Sequence, residues 1–94
     1  MNRYNLAISF FLKDKIKKNH PIEFDRDVKT WYIEVEGDLP EDLQKYREKD
    51  VDISYEDRNE YKAQFHSLRW DKMNQTWKCS EEEYEKIELY RENN

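Results

Sequence analysis

The chain has 94 residues, of which 36% are apolar and 41% charged, and a formal net charge of −5; this is one domain's worth of sequence with a modest core, and it lacks the basic excess of a duplex-DNA binder. Low apolar and high charged content lean towards disorder, but three Trp, seven Tyr and four Phe supply rings that each bury roughly 150–250 Å², so a folded domain with a thin aromatic core is expected. The lone cysteine, Cys79, excludes an internal disulfide or a cysteine-based zinc site, the single glycine excludes phosphate-cradling loops, and no apolar run approaches the roughly 20 residues of a membrane span.

From the N-terminus, Leu6, Ile8 and Phe10 alternate with a strand period. Phe10, Phe11 and Leu12 are interrupted too soon by lysines to act as a signal peptide, so the chain is expected to stay in a reducing cytoplasm. Ser9 stands where a helix would be capped, Leu12 and Ile16 mark its buried side, and His20-Pro21 ends it, because the residue before proline avoids helical backbone. Ile22 to Asp25 reads as a strand. A four-residue turn follows, and Asp25 suits its entry because its carboxylate can accept backbone N–H groups two residues on. Thr30 to Val35 returns as the second arm of a hairpin, with Phe24 expected opposite Trp31. Gly37-Asp38 breaks the strand; Asp38 is then a cap, Pro40 a first-turn residue, and Leu39, Leu43 and Tyr46 one helical face.

The pattern then starts again. Val51, Ile53 and Tyr55 alternate, Ser54-x-x-Asp57 is a weak capping box, and Tyr61, Phe65 and Leu68 share a helical face. Trp70-Asp71 precedes a second four-residue turn, and Thr76-Trp77-Lys78-Cys79 returns from it. Ser80 caps a last helix, Glu83 completes its box, and Tyr84, Ile87 and Tyr90 lie on one side, with Glu92-Asn93-Asn94 expected to fray. The blocks of the two halves correspond at offsets of 45, 46 and then 44 residues. The expected fold is therefore α+β: a single domain over 1–94 made of two diverged βαββα repeats with antiparallel hairpins, about 4–49 and 50–92.

Ile53, Tyr55, Asp57, Ala63, Arg69, Trp70, Asp71 and Trp77 together resemble a short domain of unknown function found in plasmid, phage and primase-associated bacterial proteins: an alternating strand, an alanine-bearing helix, Arg-Trp-Asp, and a Trp closing a hairpin. Phe24, Asp25, Trp31 and Tyr32 echo it in the first half. His66-Ser67-Leu68 departs from the family's Gly-Ala-type step before the Arg. The resemblance implies a small accessory module near nucleic-acid enzymes and supplies no catalytic residues.

No catalytic constellation stands out, so no enzyme activity, cofactor or metal is expected. Ser9, Ser54, Ser67 and Ser80 lack a nucleophile-elbow context, and His20 and His66 read as helix-terminal histidines favoured by the dipole. Charge is uneven. Residues 1–47 carry nine basic and nine acidic groups, and residues 48–94 carry eight and thirteen, which accounts for the whole −5. The first expectation is a non-enzymatic module that meets a basic surface on a partner protein through Glu81, Glu82, Glu83, Glu85 and Glu88, with Tyr84 and Tyr90 as anchors; this would suit a phage-encoded inhibitor of a bacterial enzyme or defence system. The alternative is a nucleic-acid or nucleotide ligand-binding module that uses Lys13, Lys15, Lys17 and Lys18 with Trp31 or Trp77 as stacking rings. Oligomeric state is open, since an unpaired edge strand can pair with another chain.

Overall fold

The computed structural model describes residues Met1–Asn93; Asn94, the end of the expected frayed tail, lies outside the described residues. The fold is α+β with two antiparallel three-stranded sheets. The first half contains β1 (Asn2–Leu6), α1 (Lys13–Asn19), β2 (Glu23–Asp25), β3 (Thr30–Val35) and a 3-10 helix (Glu41–Tyr46). The second contains β4 (Glu48–Val51), a short 3-10 turn (Tyr55–Asp57), α2 (Arg58–Gln64), β5 (Arg69–Asp71), β6 (Thr76–Ser80) and α3 (Glu81–Glu92). Both sheets place the last strand in the centre, in the orders β1-β3-β2 and β4-β6-β5. Registers agree as well. Trp31 faces Phe24 on one side and Leu6 on the other, and Trp77 faces Trp70 and Val51.

The hairpins follow from local chemistry. Asp25 Oδ1 accepts the N–H of Asp27 at 2.9 Å, and Asp71 Oδ1 accepts that of Met73 at 3.1 Å. Each turn closes on a residue in left-handed backbone, Lys29 at φ 55° and Gln75 at φ 52°, which re-aims the chain into the returning strand. The expected ring pairs form edge to face, with centroids 5.1 Å apart for Phe24–Trp31 and 5.4 Å for Trp70–Trp77.

Several expectations need correcting. The opening strands lie earlier than the alternating residues suggest. Pairing with β3 stops at Leu6, opposite Trp31, and pairing with β6 stops at Val51, opposite Trp77, so Ile8 and Ile53 lie beyond both ladders. Ile8 and Ile53 are nevertheless buried beneath the strand ends, while Phe10 and Tyr55 point outwards. Ser9 caps nothing, because α1 has no side-chain cap, and the Ser54 hydroxyl bonds the Asp57 carboxylate at 2.7 Å instead of a helix N–H. Asp38 does not cap either. The segment after Pro40 is a 3-10 helix, whose longer rise per residue lets six residues carry Leu43 and Tyr46 to the core, beside Leu39 ahead of them, before β4 starts at Glu48.

The interior is not a single aromatic core. The first half packs Leu6, Ile8, Ile16, Ile22, Ile33, Leu39 and Leu43, all aliphatic, with Tyr4, Trp31 and Tyr46 at the margin. The second packs Val51, Ile53, Tyr61, Phe65, Leu68, Trp77, Cys79 and Ile87. A polar seam joins them. Glu48, nearly buried, accepts from Arg69 Nη2 at 2.8 Å and Thr30 Oγ1 at 2.7 Å, and lies 3.8 Å from Lys78 Nζ. Backbone joins the seam where Glu81 N–H donates to the Arg47 carbonyl at 3.0 Å.

Candidate functional site

Ile53, Tyr55, Arg58, Asn59, Lys62, Trp70 and Trp77 line a cleft of about 470 Å³ in the second half. Each is there for a local reason. The chain leaves β4 with Ile53 turned in and Tyr55 turned out. Arg58 and Lys62, four apart on α2, share a face. The Arg58 guanidinium sits 3.6 Å over the Tyr55 ring, close enough for a cation–π contact. The hairpin supplies Trp70, held edge-on by the buried Trp77. The cleft therefore offers one exposed indole, one exposed phenol and two cations around an apolar floor.

The lysine run of the first helix is sorted by the fold. Lys13 Nζ lies 4.4 Å from the Phe10 ring and Lys17 Nζ 5.5 Å from that of Trp31, whereas Lys15 and Lys18 are exposed. Trp31 is only partly buried, but Trp77 lies in the core, so its half exposes Trp70 instead. Sequence reasoning missed Phe10, Tyr55, Arg58 and Lys62 as site residues, and weighed Phe24 and Trp70 as stacking rings but favoured them as hairpin staples. The signal was present in the correspondence of Phe10-x-x-Lys13-x-x-x-Lys17 with Tyr55-x-x-Arg58-x-x-x-Lys62, 45 residues on.

The acidic helix is more committed to the fold than its sequence suggests. Ser80 caps it by accepting the Glu83 N–H at 3.1 Å. Glu83 does not close the box. Its carboxylate accepts from the Ser67 N–H at 2.7 Å and from the Ser67 hydroxyl, while the Ser67 hydroxyl oxygen takes the Ser80 N–H at 3.0 Å. Tyr84 packs on the core with Lys49 Nζ 4.5 Å over its ring. Tyr90 packs edge-on against Tyr61 and Phe65 and donates to Glu60. Glu88 pairs with Arg91 at 3.5 Å and Glu82 with Lys86 at 3.8 Å. Glu81, Glu82 and Glu85 remain exposed beside Gln44 and Lys45.

Titratable groups elsewhere are engaged structurally. His20 Nε2 bonds Asp42 at 2.7 Å, and this bond holds the Asp42 carboxyl below its ordinary range. His66 meets the edge of Phe11, with ring centroids 5.5 Å apart. Burial pushes the Cys79 thiol up to about 12, the opposite of an activated nucleophile. Among the described residues, no group of three His, Cys, Asp or Glu side chains could hold a metal ion, and no helix is long and apolar enough to cross a membrane. No family model, curated protein or solved structure matches the chain.

Proposed function

We propose that this chain is a non-enzymatic binding module that takes a nucleotide unit in the cleft between α2 and the second hairpin. The observation that carries the reading is the half-exposed Trp70 facing the same cleft as Arg58 and Lys62. A base presents a flat π face and its phosphate a negative charge. Stacking on an exposed ring contributes roughly 1–3 kcal/mol per base, and two cations supply a salt-dependent share. The net charge of −5 opposes binding along duplex DNA but leaves a cleft-sized contact open. The partial resemblance to a module near nucleic-acid enzymes agrees with this chemistry. The matched strand orders and ring registers support reading the halves as diverged copies of one unit.

Titration with a short oligothymidylate, followed by quenching of indole fluorescence, tests the reading. Binding should weaken at higher salt, and Trp70→Ala should reduce affinity at least tenfold while the thermal transition stays cooperative. Equal affinity in the variant would reject the cleft as the site.

A second reading rests on Glu81, Glu82 and Glu85, which remain exposed at the start of α3. They suit a basic patch on a partner protein, as an inhibitor of a nucleic-acid enzyme would require. Reversing Glu81 and Glu85 to Lys should abolish capture of such a partner. Glu83 is unsuitable for that test, because Ser67 depends on it.

A further inference from the structure

The geometry points to a second nucleotide site in the first half, so that one chain is bivalent for single-stranded nucleic acid. This rests on the reading of the second-half cleft given above. The exposed rings and cations of that cleft have counterparts at the same place in the fold, while Asn59 is answered by Asp14. Phe10 stands for Tyr55 after the opening strand, Lys13 and Lys17 for Arg58 and Lys62 on the helix, and the Phe24–Trp31 pair for Trp70–Trp77 on the hairpin.

Exposure is what separates a site from a structural staple. Phe10 is 74% exposed and Tyr55 76%; Phe24 is 45% exposed and Trp70 48%. A singly exposed ring is ordinary on a protein surface. Two pairs of rings, left exposed to matching degrees at matching positions although the residue types differ in each pair, are not what independent surface drift produces. The first cation of each helix keeps the same relation to its ring: Lys13 lies over Phe10 at 4.4 Å and Arg58 over Tyr55 at 3.6 Å. The core beneath does not require this arrangement, since the first half is packed with aliphatic side chains alone and the second mixes Tyr61, Phe65 and Trp77 among its aliphatic ones. Aromatic faces flanked by cations recognise a ligand that alternates flat rings with negative charges. A single-stranded nucleic acid has that alternation, whereas an acidic peptide has the charge without the rings.

Bivalence has a measurable signature. Neutralising two phosphates per site predicts a log–log salt slope of roughly −1.4 for one site and roughly −2.8 for two, at about −0.7 per contact on a single strand. A strand long enough to reach both sites gains affinity through effective concentration, by roughly 10²-fold or more.

The experiment compares labelled oligothymidylates of about 4 and about 16 nucleotides, lengths that bracket typical single-strand site sizes. Each is titrated against the wild-type chain, against Phe10→Ala/Lys13→Ala/Lys17→Ala, and against Tyr55→Ala/Arg58→Ala/Lys62→Ala. Thermal melting confirms that each variant is folded, and Lys13→Glu alone, at the surface, serves if the triple variant melts early. The wild-type chain should bind two short oligomers, and the long one with the steeper slope. Each triple variant should bind one short oligomer and lose both the affinity gain and half the slope for the long one. If the first-half variant matches wild type while the second-half variant loses binding, the bivalence is overturned and the single cleft stands. If wild type binds neither oligomer at low salt, both readings fall together. If nucleoside monophosphates compete as well as the long oligomer, the ligand is a free nucleotide and the strand-binding inference is overturned.

Discussion

The two halves of the chain share a strand order and a pair of hairpin rings, yet they solve the problem of a core differently. The first buries aliphatic side chains under a 3-10 helix and leaves Trp31 at the margin. The second drives Trp77 inwards with Tyr61 and Phe65, and closes with a 12-residue α-helix whose Ile87 is fully buried. Identical topology therefore does not imply identical energetics. What the halves hold in common is the hairpin and the outward rings, and what they vary is the packing behind them.

Truncating the hairpin tryptophans should break this comparison most sharply. Trp77→Ala should cost about 3–5 kcal/mol, as expected for removing a buried aromatic, and Trp31→Ala distinctly less, because its ring is only partly buried. Urea denaturation of both variants checks the ranking; equal losses would mean that the two sheets share their load evenly.

The seam between halves comes next. Glu48→Ala removes the carboxylate that Arg69 and Thr30 both address. A broken buried pair typically costs 3–5 kcal/mol, but the Asp71 carboxylate also interacts with the charge of Arg69, and Asp50 still holds Lys78, so about 2–3 kcal/mol is expected. Denaturation should also become less cooperative if the seam is what couples the two cores.

The turn aspartates give the smallest and most direct contrast between halves. Asp71 is held below its ordinary value of 3.8, first by the Asn74 side-chain amide and then by the backbone N–H of Asn74, the charge of Arg69 and the N–H of Met73. Asp25 is lowered mainly by Arg3, at 2.7 Å. A depressed carboxylate contributes stability that is complete well above pH 3.8 and is lost as pH falls from there towards the folded value. Asp71→Ala should cost about 1–3 kcal/mol, typical of charged hydrogen bonds from a buried group, and should flatten the acid limb of the stability curve. Asp25→Ala, nearer to solvent, should do both to a lesser degree. Melting temperature against pH for the two variants measures the difference.

The turns, the ring pairs across each hairpin, the Ser80 cap and the α+β class were legible in the sequence, because each depends on residues a few positions apart. Asp25 and Asp71 reach N–H groups two residues on, and antiparallel pairing through a four-residue turn fixes which ring meets which. The candidate site was only half legible. Lys13, Lys17 and Trp31 were on view as residue types, but choosing Lys13 and Lys17 over Lys15 and Lys18, and Trp70 over Trp77, required knowing which side each faces. Glu83 shows the limit best: a capping box is a local pattern, and a serine 16 residues away outcompeted it.

The sequence alone determined the local hydrogen-bonding and the alternation that make each hairpin and helix, since those forces act within a turn or two of the chain. Only the tertiary structure decided which rings are exposed, where the strands start, and that there are two apolar clusters with a charged seam between them. Burial depends on every element packed against a residue, and that information is spread over the whole chain.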